Sequence, residues 1–406
     1  MPSAPSSPAR SRTAQVIADD AEAVAVAARL ADSFRAGAAR RDAERLLPHA
    51  ELAELSASGL LAVTVPRAQG GAEVSTRTLG EIVRLLSAAD PSIGQIPQNH
   101  FFFVEVLKEN GTEAQRAFFY AELLAGARFG NALAEKATRH ALEFATRLEE
   151  RPDGTYRLDG VKNYATGALF ADWIPVFALG PGDRLTAAFV PSDDPGVDVV
   201  DDWDGIGQRI TASGTVRLTD VVVPAHLVVP HHLTFERPEV FGAYGQFIHA
   251  AVDTGIARGA LEEGGELIRT LARPWGEAGV ERAAEEPLVI QKFGELTLLV
   301  RAAEALLEKA GDAIDAAHRA PADARAATDA SLAVTAARAQ ADTAAVTVAG
   351  EVFALIGARA ATRAQNFDRH WRNARTHTLH DPRRWKIQHL GNHSLNGVAP
   401  PANGIV

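Results

Sequence analysis

Two histidines, an aspartate and a proline stand together in "RNARTHTLHDPRRW", Arg372 to Trp385, among four arginines. Three chemistries compete for such a set: metal ligation, phosphate binding along a basic patch, and proton transfer in an active site. A helix running unbroken to Asp381 would put His377, His380 and Asp381 on one face, because residues three and four apart are neighbours, and Pro382 would end it. Histidines that bind zinc from one helix usually stand four apart, and these stand three apart, so no metal is expected. Imidazole titrates near neutrality, and a proton-handling role is easier to build from this pair.

The charge balance weighs against the basic patch. Across 406 residues, 41 Lys and Arg face 51 Asp and Glu, a formal charge of -10. Nucleic acid binding needs a dominant basic surface, so Arg359, Arg363, Arg369, Arg372 and Arg375 are expected to pair with acidic residues or cap helix ends. The sequence has no cysteine, which excludes disulfides, thiolate catalysis and cysteine-based metal sites and leaves the cytoplasm as the default compartment. The opening "MPSAPSSPARSRTAQ" has no apolar segment after its basic residues and is expected to be a disordered tail over 1–15. No apolar run is expected to span a bilayer.

Positioning these residues falls to elements whose hydrophobic period changes along the chain. Helical spacing dominates 16–124, with Ser75 or Thr76 as a cap for "STRTLGEIVRLLSAAD". Short alternating or β-branched runs fill 125–235, separated by turns such as "GPGD" and "SDDPG", and predict an antiparallel β-domain. Long Ala-rich helical patterns return over 236–406 and suit a close-packed bundle better than a coiled coil. The fold class is α+β. Dinucleotide fingerprints, P-loops, nucleophile elbows and HExxH motifs are absent from the sequence.

Other candidates read less sharply. His100, in "IPQNHFFFVEVL", is either a satisfied core histidine or an acid/base or substrate-binding group in an aromatic pocket. "FGNALAEK" places Asn131 and Glu135 at the change from helix to sheet. "GVKNYATGALFADW" puts Tyr164 and Thr166 on one face of a strand, and Gly167 beside them fits close backbone approach to a ligand or an edge bulge equally well.

The α, β, α plan, the strand "LDGVKNYATGALFADWIPVFA", the block "DDWDGIGQRITASGTVRLTDVVVP" and the ending "VFALIGARAATRAQNFDRHWRNARTHTLHDP" together resemble the acyl-CoA dehydrogenase superfamily over nearly the whole chain. Within it, "DPSIGQIPQNH", "WDGIGQRITASG" and "RNARTHTLHDPRRWKIQHLGNHSLNG" are similar to the branch of dibenzothiophene monooxygenase and related sulfur-acquisition oxidoreductases. The resemblance implies an N-terminal helical domain, a middle antiparallel β-barrel domain and a C-terminal four-helix bundle that builds a homotetramer. It implies that Asn131, Ala132, Leu133 and Thr166 contact a flavin ring, with Tyr164 and Gly167 beside them. Arg273 and Trp275, in "RTLARPWGEAG", would reach a flavin phosphate, often across a subunit contact; an arginine fork suits phosphate and an indole can seal the site. His100, His377 and His380 would line the pocket.

One departure matters. Acyl-CoA dehydrogenases commonly use a glutamate base in a "Tyr-Glu-Gly" ending, where this chain has His380, Asp381 and Pro382. The carboxylate is one methylene shorter, which argues against simple α,β-dehydrogenation with FAD, the alternative reading, because a base must reach its proton. The resemblance therefore implies a two-component monooxygenase. A separate NAD(P)H:flavin reductase would supply reduced FMN, with FAD possible, and oxygen would form a C4a-hydroperoxyflavin that oxygenates a small, apolar organosulfur substrate. A flavin-free binding protein of the same fold is the reading from another class.

Overall fold

The computed structural model describes residues 13–136, 138–140, 143–321 and 323–403. Residues 1–12 of the expected tail lie outside the described residues. Gln15, by contrast, is fixed, its N–H donating to the Ala57 carbonyl at 2.8 Å.

The chain opens with α1 (Asp20–Glu44), α2 (His49–Ala57), α3 (Thr76–Ala89), α4 (Pro91–Gln95), α5 (Gln98–Asn110) and α6 (Glu113–Leu124). Their starts are written in side chains that satisfy otherwise orphaned N–H groups. Asp19 accepts from Glu22 N, Ser75 from Thr78 N, and Asp90 from Ser92 and Ile93 N with Pro91 at the first position. Thr112 and Gln115 cap α6 reciprocally. Ser75, rather than Thr76, is therefore the cap of α3.

Seven strands follow: β1 (Arg147–Glu150), β2 (Thr155–Lys162), β3 (Trp173–Gly180), β4 (Arg184–Pro191), β5 (Val197–Val200), β6 (Thr215–Pro224) and β7 (Val228–Val229). They lie in the order β5-β6-β2-β1-β3-β4-β7. Pairing is antiparallel except between β1 and β3, which run parallel. The sheet is thus open and mixed, and the expected antiparallel barrel is corrected. A parallel neighbour comes from a crossover that alternation within one strand does not reveal, and the two-residue edge strand β7 offers little backbone for closure.

The last part holds α7 (Phe241–Thr270), α8 (Pro287–His318), α9 (Ala324–Ile356), α10 (Arg369–His377) and α11 (Arg383–Asn396). α7, α8 and α9 pack on one another, α11 lies on α9, and α3 of the first part lies along α7 and α8. Small residues permit the close contact of α3 with α7. A Cβ on Gly255 would meet the Arg84 carbonyl at 2.5 Å, and one on Gly259 the Ala88 carbonyl at 2.3 Å. α7 is consequently buried on nearly every face.

One core joins α1, α3 and the three long helices; a second joins α5 and α6 to the sheet. α9 is long and apolar enough to cross a bilayer by length and composition, which corrects the expectation drawn from the sequence. Its alanines instead fill the bundle, and it carries the buried Arg338 and Asp342.

Candidate active site

α7, one of the most buried helices, carries two polar residues one turn apart on its inner surface, His249 and Asp253. α10 presents His377 to both. His377 Nδ1 lies 2.6 Å from Asp253 Oδ1, and His377 Nε2 lies 3.0 Å from His249 Nδ1. The His249 ring packs at a tilt against His380, with centroids 3.9 Å apart and planes 35° from parallel. From α9, the fully buried Arg338 joins Asp253 through Nη1 and Asp381 Oδ1 through Nη2 at 3.2 Å. Asp381 also meets Lys386 of α11 at 3.2 Å and His380 Nδ1 at 3.6 Å. Two carboxylates, three imidazoles, a guanidinium and an ammonium thus close into one cluster.

α10 ends at His377, so the expected helix to Asp381 is corrected: Thr378 to Asp381 form a turn, with His380 N donating to the His377 carbonyl at 3.0 Å. His377 and His380 still converge, through His249 rather than through a shared helical face.

Burial sets the ionisation of the cluster. It pushes His249 well below the ordinary imidazole range, helped by His380 and His377. It also lowers His377, although Asp253 opposes the shift. Burial alone would raise the Asp253 carboxyl, but the His377 N–H and the Arg338 guanidinium outweigh it and keep the group ionised. Asp381, which burial would likewise raise, is held far below its usual range by Arg338, His380 and Lys386. His249 and His377 are therefore neutral rings beside ionised carboxylates that already have cationic partners.

The sheet contributes a second polar set. Thr166 Oγ1 and Ser213 Oγ are 2.7 Å apart, and Ser213 Oγ lies 2.7 Å from Thr211 Oγ1, which donates to the Gln208 carbonyl. Asn131 donates from Nδ2 to the Tyr164 carbonyl at 3.1 Å, and its buried Oδ1 has no hydrogen-bond partner among the described residues. Ala132 is tied into the sheet, accepting from Phe177 N and donating to the Pro175 carbonyl. Leu133 offers its carbonyl to the buried Lys162, whose Nζ lies 3.1 Å from it and 2.6 Å from Glu135 Oε1. Lys162 thereby fixes the 131–135 segment against the end of β2.

Tyr164 and Thr166 do not share a strand face. β2 stops at Lys162 and the chain turns, leaving Tyr164 exposed near Trp203 and Lys136 while Thr166 is buried. Gly167 adopts φ +76°, and a Cβ there would meet Ile96 at 3.3 Å. Its close neighbours include both the side chain and the carbonyl of Ile96.

His100 lies in a narrow crevice with Ile96, Pro97, Phe129, Gly167 and Phe170. Both ring nitrogens are engaged: Nε2–H donates to the Leu61 carbonyl at 2.7 Å and Nδ1 accepts from Phe129 N at 3.1 Å. These bonds fix the neutral tautomer and join α5 to the segment entering the sheet. Burial depresses its pKa to about 4. A folded pKa below the unfolded value of about 6.5 means that the unfolded chain takes up a proton the folded one refuses, so stability falls as pH drops through that window. The stability advantage of the wild type over His100→Leu is expected to shrink by about 1.4 kcal/mol per pH unit between pH 6.5 and 4. Urea midpoints across that range measure it, and a constant gap contradicts the assignment.

Arg273 and Trp275 stand on the exposed loop after α7, far along the chain from the histidines, and no ion pair engages Arg273 among the described residues. Two of the five arginines expected to pair with acidic residues do so, and Arg359 meets a helix end. Arg369 pairs with Glu263 and Arg372 with Asp42 and Asp368, and Arg359 donates to the Leu271 carbonyl. Glu105, Glu109 and His318 bring possible metal-ligating atoms within 4.8 Å. Lys108 and Arg237 already pair with the two carboxylates, so this is an ion-pair group.

Sequence reasoning missed His249, Asp253, Arg338, Ser213 and Lys386. The first two had a signal, a histidine and an aspartate four apart in the otherwise apolar "FIHAAVDTG". Arg338, an arginine in the middle of an Ala-rich helix, had a fainter one.

Residues 19–127, 132–221 and 247–383 match the acyl-CoA dehydrogenase N-terminal, middle and C-terminal domains respectively. The chain is 36% identical to dibenzothiophene monooxygenase of Rhodococcus erythropolis over 94% of its own length and 95% of the relative's. It belongs to the acyl-CoA dehydrogenase superfamily, in the branch of the sulfur monooxygenases. Within that branch it is 31% identical to the "Probable FMNH2-dependent monooxygenase SfnC" of Pseudomonas putida, over 93% of this chain and 96% of that one. The fold is similar to the crystal structure of FMN-bound TdsC from Paenibacillus sp. A11-2, with a TM-score of 0.90 and 32% identity over 95% of this chain and 100% of that one.

Proposed function

We propose that this chain is the oxygenase of a two-component system, a monooxygenase that uses reduced FMN to oxygenate a small, apolar organosulfur compound. Bound reduced FMN supplies two electrons to dioxygen, one oxygen atom passing to the substrate and the other leaving as water. The residues present fit such a group. The unpartnered buried Oδ1 of Asn131 and the Thr166–Ser213 hydroxyls offer acceptors and donors to a ring, and Lys162 holds their segment in place. Arg273, exposed on its loop beside Trp275, is available to a phosphate.

Asp381 decides between this reading and dehydrogenation. Its carboxylate is locked between Arg338 and Lys386 and held ionised far below its usual range. A group so stabilised is a poor base for an α-proton. The neighbouring His377 and His249 are neutral, and neutral imidazoles can hold and pass a proton at neutral pH. We assign His377 and His380 to that task and His100 to the substrate side, in its crevice of apolar side chains.

The partner is an NAD(P)H:flavin reductase, and the setting cytoplasmic, where NAD(P)H is made. Leu288 and Leu298 on α8 and Trp385 and Leu395 on α11 are exposed, and an apolar surface of this kind supports the homotetramer. The domains of this reading are 16–124, 125–235 and 236–406.

A reductase-coupled assay with FMN, NADH, oxygen and a panel of sulfides, sulfones and aromatic heterocycles is expected to yield S-oxygenated products. Bleaching of bound FAD by an acyl-CoA, with no oxygenated product from the panel, would instead establish the dehydrogenase.

A further inference from the structure

We propose that His249 is a relay and positioning residue, forming with His377 and Asp253 a two-imidazole proton store within the buried cluster. This deepens the monooxygenase reading and rests on it. With both rings neutral, the geometry leaves one arrangement of hydrogens. Asp253 is ionised and accepts from His377 Nδ1 at 2.6 Å, so that nitrogen carries the proton. His377 Nε2 is then a bare acceptor, and the nitrogen 3.0 Å away, His249 Nδ1, must be the donor. His249 is thereby held as the Nδ1–H tautomer, with Nε2 as a lone pair.

A proton arriving at His249 Nε2 releases the one on Nδ1 to His377 Nε2. The added charge comes to rest on His377, now an imidazolium bonded to the Asp253 carboxylate. Nothing is oxidised or reduced: the donor's bond to hydrogen and His249 Nδ1–H break as His249 Nε2–H and His377 Nε2–H form, and the reverse sequence returns the proton to the donor. His380, half-exposed and packed at a tilt against His249, stands where the relay opens outward.

The surroundings suit a store of one proton. The His249 ring is coupled to His377 of α10, His380 and Asp381 of the turn and Arg338 of α9, and the His377 ring to Asp253 of α7, Arg338 and His380; around them, Arg375 of α10 and Arg383 of α11 act on Asp342 of α9, and Lys386 of α11 on Asp381. With both rings neutral, four cations, Arg338, Arg375, Arg383 and Lys386, stand against three carboxylates, Asp253, Asp342 and Asp381, which leaves little room for more than one added proton. A first proton comes to rest beside Asp253, to which the buried Asp342, a carboxyl that burial lifts to about 6, is coupled. A second would put two positive rings in hydrogen-bond contact, so the pair acts as one base.

Histidine 15N NMR of the flavin-free wild type tests the arrangement without using activity. At pH 7 His377 and His249 are both expected to be neutral and protonated on Nδ1. His249 protonated on Nε2, or His377 charged, overturns the relay. A second test uses His249→Asn, whose amide can still donate to His377 and hold it in place but cannot pass a proton on. Its turnover with reduced FMN and oxygen is expected to fall about 100-fold, the scale of a lost proton-transfer group, with the FMN dissociation constant unchanged and the wild type's pH dependence lost. Wild-type turnover and pH profile in His249→Asn would falsify the proposal. If the wild type oxygenates nothing in the panel, the function fails while the tautomers are still read.

Discussion

Replacing Arg338 with methionine is expected to destabilise the fold by about 3–5 kcal/mol, the scale found when one partner of a buried charge pair is removed. Arg338 is fully buried and joins Asp253 on α7 to Asp381 in the turn before α11. Without it Asp253 keeps only the His377 N–H, and Asp381 keeps Lys386 and His380. The loss should appear as a lower urea midpoint at pH 7. Adding Asp253→Asn to Arg338→Met should restore part of it, because the amide removes the buried charge that lost its partner. Additive losses in the double variant would show that the two residues act independently.

The largest effect on chemistry is expected at His377. His377→Ala should lower product formation by about 10²–10⁴-fold, the range typical of a lost acid–base group, while reduced FMN still binds. His377 alone touches both Asp253 and His249, so its removal breaks the cluster in the middle. His380→Ala removes the half-exposed ring and leaves the buried pair intact, and a smaller loss is expected there. Rapid mixing of the reduced complex with oxygen, with hydrogen peroxide and product measured together, distinguishes lost oxygen transfer from lost flavin. Unchanged product in both variants would take the histidines out of the mechanism.

Much of this was legible in the residues. The order of helical, sheet and helical parts followed from the change in hydrophobic period, since that period reports which faces are buried. His377 and His380 drew attention because histidines and an aspartate crowd a short polar stretch. Their true partners were hidden by composition: His249 and Asp253 lie in a run of apolar residues on a helix buried all round, where periodicity has no contrast. The strand face assigned to Tyr164 and Thr166 failed because alternation holds only while the strand lasts, and β2 ends at Lys162. The parallel β1–β3 contact depends on a crossover, a property of the chain path rather than of local pattern.

The stretch that carries His377 also fastens three parts of the molecule. Arg372 reaches Asp42 of α1, Asn373 Oδ1 accepts from Gln208 N in the loop leading to Ser213, and Arg369 pairs with Glu263 of α7. Helix, sheet and bundle are stitched together one turn from the buried histidines. The catalytic geometry is therefore a property of the docked whole. Loosening any one of the three bodies is expected to shift His377 from Asp253 and His249.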